Sequence, residues 1–204
     1  TAGATVGHGL GVAPKMIIFK STGSTDDWKV YHASTGATYW LKFNTDDAGS
    51  TSIGNYNNTE PTNTVFTLGD STGTNNSNGM IAYCFAEKIG YSKFSTYEGN
   101  SNADGTFVYT GFKPTFLIVK PIDASDNWVM FDGKRDNEYN DTSSPDFMYP
   151  NKNFGENGST TLEFYSNGFK NITTGNTTNR SSTFIYMAFG QSLVGTNNIP
   201  CTAR

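Results

Sequence analysis

An ungapped internal repeat constrains this chain more than any other feature of its sequence. Residues 11–28 combine a Gly and a Pro, a short apolar run, a polar loop and a Trp, and the same order returns at residues 111–128. The matched pairs share one offset, 100 residues by subtraction: Gly11/Gly111, Pro14/Pro114, Ile18/Ile118, Lys20/Lys120, Asp26/Asp126 and Trp28/Trp128. A match of this kind indicates a duplication, which predicts two units with the same local fold.

The composition favours strands joined by many turns. Hydrophobic residues make up 35%, charged residues 16% and aromatic residues 14% of the 204 residues, and 22 residues are Gly. Gly and Asn suit turn positions, and no segment keeps the i, i+3, i+4, i+7 apolar stripe of a helix. We therefore predict an all-β protein of two tandem, duplicated antiparallel β-sandwich-like units of about 100 residues each, divided as residues 1–97 and 98–204.

Short apolar or alternating runs between polar loops mark the predicted strands. Residues 16–19 are apolar throughout, which predicts a strand buried on both faces. The other predicted strands are residues 28–32, 39–43, 65–68, 80–85, 91–97, 107–109, 116–119, 128–131, 147–149, 162–165 and 184–189. The polar tail at residues 195–204 is expected to lie along the surface.

The strand predicted at residues 91–97 precedes the second copy, and no equivalent strand precedes Thr1. We expect either that the protein continues before Thr1 or that a neighbouring chain supplies this strand. Without it, a sheet edge at residues 16–19 or nearby needs a covering segment, because an open edge presents unpaired backbone groups.

Charge and cysteine content exclude several classes of function. The formal net charge is −4 and Lys and Arg are not clustered, so nucleic acid, which requires concentrated positive charge, is not an expected partner. No apolar run approaches the length of a membrane span, so no membrane insertion is expected. Cys84 corresponds to Ala188 in the second copy, which favours a small core residue over a disulfide with Cys201.

Several motifs in register resemble one known family. They are GHGLGVAPKMII at residues 7–18, IAYCFAE at 81–87, GYSKF at 90–94, YTGFKP at 109–114 and PCTAR at 200–204. Together they resemble a duplicated β domain of undefined function at the C-terminal ends of tail-fibre-like virion proteins of marine and cyanobacterial tailed phages. This resemblance covers essentially the whole chain.

The resemblance implies a virion structural protein, a tail fibre or related appendage, and we expect such a module to bind host-surface carbohydrate. The alternative is a capsid decoration or assembly module without a small ligand. Expected partners are other virion proteins, copies of this chain and a host glycan, with the virion surface as the location. The family offers no catalytic residues, so neither an enzyme nor a cofactor is expected. Gly190 and Gln191 replace Ala86 and Glu87 in the second copy, which argues against an essential Glu87.

Aromatic residues beside polar loops are the candidate carbohydrate-binding residues. Sugar rings stack on Trp and Tyr, while neighbouring amides and carboxylates bind the hydroxyl groups. Trp28 and Trp128 are duplicated, which predicts core anchors. Trp40, Tyr56 and Tyr139 are not duplicated and lie in or beside long polar loops, so they are the predicted binding residues.

Other chemistry-bearing residues form weaker patterns. Asp26, Asp27 and Asp126 stand in acidic loops that would suit Ca²⁺, although they lack the ligand ladder of an EF-hand. His8 stands in a Gly-His-Gly turn and His32 follows a strand, and neither has a nucleophile and an acid nearby in a catalytic pattern. We therefore predict a turn position for His8 and a surface position for His32. The acids that glycoside hydrolysis would require, Glu87, Glu98, Glu138, Glu156 and Glu163, are scattered.

Overall fold

The computed structural model of the chain describes residues 1–133, 146–159 and 161–191. These residues form antiparallel strands almost throughout, with one short helix, α1 (Asn176–Asn179), among them. They divide into two compact units, a first unit of Thr1–Glu87 with Ile122–Ser125 and a second unit of Lys88–Pro121 with Asp126–Arg204. The prediction of an all-β protein is confirmed.

Most of the strands lie where the sequence predicted them, within a residue or two at each end. Those of the first unit are β1 (Thr5–Gly7), β2 (Met16–Ser21), β3 (Lys29–His32), β4 (Tyr39–Lys42), β5 (Ser50–Thr51), β6 (Val65–Thr67) and β7 (Met80–Phe85). Those of the second unit are β8 (Ser92–Glu98), β9 (Phe107–Tyr109), β10 (Pro114–Pro121), β11 (Val129–Asp132), β12 (Phe147–Met148), β13 (Leu162–Tyr165), β14 (Gly168–Asn171) and β15 (Thr183–Gly190).

The first unit consists of a five-stranded sheet in the order β5-β4-β3-β2-β7 and a two-stranded sheet of β1 and β6. The strand β2 is buried on both faces, as the unbroken apolar run predicted, with Met16, Ile17 and Phe19 each 1% exposed. Its inward side chains pack with residues from β3 and β6 in one core cluster: Ile17, Phe19, Tyr31, Ala37, Tyr56 and Phe66.

The second unit contains a five-stranded sheet in the order β12-β11-β10-β15-β8 and a three-stranded sheet in the order β13-β14-β9. Both sheets contribute to one core, as expected where two amphipathic sheets pack face to face. Its buried members are Tyr97, Val108, Phe112, Leu117, Val119, Val129, Phe131, Phe147, Leu162, Phe169, Phe184, Tyr186 and Ala188.

The two five-stranded sheets have matching strand orders around their central strands. The order β4-β3-β2-β7 in the first unit corresponds to β12-β11-β10-β15 in the second. Gly11 and Gly111, a matched pair of the repeat, both adopt positive φ, at 71° and 85°, which side chains other than Gly tolerate poorly. These features agree with a duplication, which remains an interpretation of the sequence.

The strand β8 explains where the compact units divide. The sequence repeat suggested a division at residue 97, which would leave residues 92–97 with the first copy. In the structure, β8 pairs with β15 over seven residue pairs, from Thr183 with Glu98 to Phe189 with Ser92. The second unit therefore begins at Lys88, ahead of β8.

The duplicated tryptophans have different environments. Trp128 is 1% exposed, as predicted for a core anchor. Trp28 is only half-buried and stacks on Tyr83 at 6.3 Å between ring centroids, so its prediction as a core residue was wrong. The neighbouring strands differ as well, since Tyr83 is 46% exposed on β7 while its counterpart Met187 is 5% exposed on β15.

We expect Trp128→Ala to lower the free energy of unfolding by about 3–5 kcal/mol, because it leaves a large cavity in the core. Trp28→Ala should cost less than half as much, since its ring already contacts solvent. Denaturant unfolding of both variants provides the measurement. Equal losses would contradict the different environments of the two rings.

Candidate functional site

The three-stranded sheet of the second unit carries an exposed aromatic face, formed by Phe107, Tyr109 and Tyr165. Alternation along β9 points Val108 into the core and the residues on either side of it outward. The exposed fractions are 44% for Phe107, 65% for Tyr109 and 40% for Tyr165. Three exposed aromatic side chains on one sheet face are unusual on a surface without a binding role.

The strand register brings the aromatic residues of this face together. Gly168 lies between Tyr109 and Tyr165, since it pairs with Tyr109 on β9 and with Tyr165 on β13. Because Gly168 has no side chain, the Phe107 ring fits beside it: a Cβ at Gly168 would lie 3.0 Å from Phe107 Cζ. Phe107 and Tyr165 also meet edge to face, with 6.0 Å between ring centroids. The face is therefore a shallow platform of neighbouring aromatic rings.

Polar groups surround the platform. The Tyr165 hydroxyl donates a hydrogen bond of 2.6 Å to Glu163 Oε2, and this bond is the main reason that the pKa of Tyr165 is raised. Lys170 Nζ donates to Asp104 Oδ1 at 2.5 Å, which lowers the pKa of Asp104. Planar apolar rings with carboxylate, ammonium and hydroxyl groups at their border match the two needs of a carbohydrate ligand.

The sequence reasoning missed the aromatic face. It placed strands at residues 107–109 and 162–165, but it did not assign their outward side chains to one surface. The available signal was the alternation in Phe107-Val108-Tyr109, whose central apolar residue predicts the inward position. Recognising the shared face requires the pairing of β9 and β13 with β14, which the sequence pattern does not specify.

A second candidate is a pocket of about 390 Å³ in the first unit. It lies between the β1–β6 sheet and the inner side of β2 and β7. Its lining is mostly apolar and includes Phe19, Phe66, Met80, Ala82 and Cys84, with His8 and Thr74 as polar members. Cys84 is a free thiol, and burial raises its pKa, which makes it a poor nucleophile.

The three predicted carbohydrate-binding residues are not brought together by the described structure. Trp40 is half-buried, and Lys29 Nζ lies 3.9 Å from its ring centroid, so one ring face is covered. Tyr56 is 3% exposed and packs against Phe19 and Tyr31. Burial leaves the ring of Tyr56 no face for a sugar, and we do not retain it as a binding residue. Tyr139 lies outside the described residues.

The three aspartates considered as calcium candidates contact protein groups. Asp26 Oδ2 accepts hydrogen bonds from Ser24 Oγ at 2.7 Å and Asn76 Nδ2 at 3.2 Å. Asp27 Oδ2 lies 3.3 Å from Lys42 Nζ, and Asp126 Oδ2 lies 3.7 Å from Arg180. Within residues 1–133, 146–159 and 161–191, no group of three or more His, Cys, Asp or Glu side chains is placed to hold a metal ion.

The two histidines have structural contacts. His8 Nε2 lies 3.1 Å from the Thr62 carbonyl, and its Nδ1 accepts a hydrogen bond from the Leu10 amide, which fits the predicted turn position. His32 is 0% exposed, so the predicted surface position was wrong. It pairs with Met16 on β2, which is itself 1% exposed, so His32 lies on a covered face of the sheet.

One side-chain amide closes an equivalent loop in each unit, a feature that the sequence reasoning missed. Asn44 Oδ1 accepts from the Trp28 amide at 3.0 Å, and its Nδ2 donates to Asp27 Oδ1 at 3.0 Å. In the second unit, Asn151 makes the same two bonds, to the Trp128 amide at 3.1 Å and to Asn127 Oδ1 at 2.9 Å. The hydrogen bond from Asn44 is the main cause of a lowered pKa at Asp27.

We expect Asn44→Ala and Asn151→Ala each to cost about 1–2 kcal/mol of stability at pH 7, because each removes two hydrogen bonds. Only the Asn44→Ala loss should depend on pH. A carboxyl group whose pKa is lowered in the folded state stabilises the protein at pH values above its usual pKa. This stabilisation is lost as the pH falls through the folded-state pKa. The loss in Asn44→Ala should therefore shrink by less than about 1 kcal/mol between pH 7 and acid, given the exposure of Asp27.

Unfolding of both variants by denaturant across this pH range is the measurement. Asn151→Ala is the matched control, since Asn127 cannot titrate. A pH dependence of equal size in the two variants would contradict the assignment to Asp27.

The described residues form an all-β protein with an exposed aromatic face on the three-stranded sheet of the second unit. The chain belongs to the DUF7483 family, a domain of unknown function, whose family profile matches residues 1–192. No curated protein and no solved structure matches the chain. The described residues contain no helix with the length and apolar character of a membrane span.

Proposed function

We propose that this chain is a structural module of a phage virion, part of a tail fibre or related appendage, and that it binds host-surface carbohydrate. The motif resemblance supports the virion assignment. The single observation that supports carbohydrate binding is the aromatic face, with Phe107, Tyr109 and Tyr165 exposed around Gly168. The proposed role requires no catalytic residue and no cofactor.

The proposed contact is a sugar ring lying on the platform. Its apolar face covers Tyr109 or Phe107, while its hydroxyl groups reach Glu163 and Lys170, which lie opposite each other on β13 and β14. The ion pair of Lys170 with Asp104 and the bond of Tyr165 to Glu163 hold these groups in place before binding. Preorganisation of this kind lowers the entropic cost of binding.

The proposed working form is oligomeric, with copies of this chain and other virion proteins as partners at the virion surface. An open platform of this size is suited to weak binding, on the order of millimolar, or about −4 kcal/mol per site. Several platforms on one particle would raise the avidity by roughly 10² to 10⁴. Neither nucleic acid nor a membrane has a place in this proposal.

The alternative is a capsid decoration or assembly module without a small ligand. One observation favours it: the first unit also exposes apolar side chains on a strand, Ile81 at 42% and Tyr83 at 46%. Exposed apolar surface of this kind is typical of contacts between protein subunits. The two functions predict different losses when the aromatic face is altered.

We expect Tyr109→Ala to weaken glycan or host-cell binding by about tenfold or more, or about 1.4 kcal/mol per site. Its ring is exposed, so the free energy of unfolding should change by no more than about 0.5 kcal/mol. A glycan array and whole-cell binding by the isolated protein provide the measurements. Phe154→Ala is the matched control, because Phe154 is 63% exposed but lies outside the aromatic face.

Two outcomes distinguish the proposals. Unchanged glycan binding in Tyr109→Ala would move the site away from the aromatic face. No binding of any glycan by the unaltered, oligomeric protein would contradict the carbohydrate proposal and favour the structural alternative.

A further inference from the structure

The edge of β15 in the second unit is completed by β8. Hydrogen bonds from Gly99 N–H to the Ser182 carbonyl and from Gly190 N–H to the Tyr91 carbonyl flank this ladder. In an antiparallel pair, every second residue forms backbone hydrogen bonds to the neighbouring strand, and these two bonds fix which residues do so. The backbone groups of Phe184, Tyr186 and Ala188 therefore face β8. The strand therefore has neighbours on both sides, β10 and β8.

The corresponding edge of β7 has no strand beside it within the described residues. The strand pairs with β2 alone, and the bond from Thr22 N–H to the Gly79 carbonyl fixes the alternation. Ile81 and Tyr83 consequently pair with β2, while the backbone groups of Ala82 and its alternate neighbours, Met80 and Cys84, face away from it. An edge of this kind is a template for another strand.

The pocket of the first unit occupies the place that Tyr97 fills in the second. Tyr97, from β8, stacks on Phe184 at 4.9 Å between centroids, meets Phe169 at 5.6 Å, and donates a hydrogen bond of 2.7 Å to the Thr178 carbonyl. Ser21 pairs with Met80 in the first unit, and Pro121, at the matching position of the repeat, pairs with Phe184 in the second. Met80 and Phe184 therefore occupy corresponding positions. The counterparts of Phe184, Tyr186 and Ala188 are Met80, Ala82 and Cys84, which line the pocket.

The rest of the pocket follows the same correspondence. The strand pair of Phe66 with Val6 in the first unit corresponds to the pair of Phe169 with Val108 in the second. Phe66 and Val6 both line the pocket. Thr74, another lining residue, is fully buried like Thr178. The small Ala82 replaces the large Tyr186, which leaves room for an aromatic ring.

We propose that the first unit is a strand acceptor: the open edge of β7 binds an extended peptide segment with the pattern of β8, whose aromatic side chain enters the 390 Å³ pocket. The segment runs antiparallel to β7, with its aromatic residue opposite Met80. The backbone of the segment forms hydrogen bonds with the backbone groups of Met80, Ala82 and Cys84. A tyrosine side chain in the pocket donates a hydrogen bond to the Thr74 carbonyl. Main-chain bonds supply affinity, and the pocket supplies specificity.

The pattern of β8 identifies the occupant as a dissimilar strand rather than a second copy of β7. In β8, the buried Tyr97 faces the core and the buried Phe94 lies on the opposite side of the strand. A second β7 would place Met80, Ala82 or Cys84 toward the pocket. These side chains are too small or too thin to fill it as a ring does.

The test extends the full chain, in a Cys201→Ser background, by residues 91–102 placed directly before Thr1. This spacing leaves eight residues between the added strand and β1, the number that separates β8 from β9, residues 99–106. The readouts are the rate of Cys84 alkylation and the melting temperature. We expect alkylation to slow by about tenfold or more and melting to rise by about 4 °C or more.

Two controls report on the pocket and on the edge. An extension with serine in place of the tyrosine copied from Tyr97 should lose most of both effects. Ala82→Pro removes an N–H that faces the open edge and spares the β2 ladder, so the unextended variant should fold while the extended one loses the effects. If the extension with the unaltered sequence of residues 91–102 changed neither the rate of Cys84 alkylation nor the melting temperature, the proposal would be overturned. A dimer of the unextended chain, by sedimentation, that Ala82→Pro converts to monomer would also overturn it.

Discussion

Backbone hydrogen bonding along the edges of two similar sheets is the constraint on which this structure depends. Every strand presents N–H and C=O groups on both sides, and these groups need partners wherever water is excluded. In the second unit, β8 satisfies the outer edge of β15 and brings Tyr97 into the core. In the first unit, β7 has the same position without such a neighbour among the described residues, and a pocket remains behind it.

The same strand order therefore supports two different surfaces. The second unit has a filled core and presents aromatic residues outward on its three-stranded sheet, because Val108 takes the inward position on β9. The β1–β6 sheet of the first unit has no aromatic residue at the matching outward positions, Thr5 and Gly7. We accordingly propose carbohydrate binding for the second unit and strand binding for the first. The two proposals rest on different residues and fail independently.

Much of the fold was predictable from the sequence because local pattern determines it. The unbroken apolar run at residues 16–19 predicted a doubly buried strand, and the run at residues 80–85 matches β7. Burial of single residues was less predictable, since it depends on neighbours across the sheet. His32 is buried on the face that it shares with Met16, Tyr56 is buried against Phe19 and Tyr31, and Trp28 is half-buried where it stacks on the exposed Tyr83. The aromatic face required the pairing of three strands, which periodicity does not specify.

Amide hydrogen exchange at matched positions of β7 and β15 tests the central claim most directly. The Ala82 amide faces the open edge, while the amide of its counterpart Tyr186 bonds β8, so their protection depends on the neighbouring strand alone. We predict that Ala82 exchanges at least about a hundredfold faster than Tyr186, while Ile81 and Tyr83, bonded to β2, are protected. Equal protection at Ala82 and Tyr186 in the monomeric chain would contradict an open edge on the first unit.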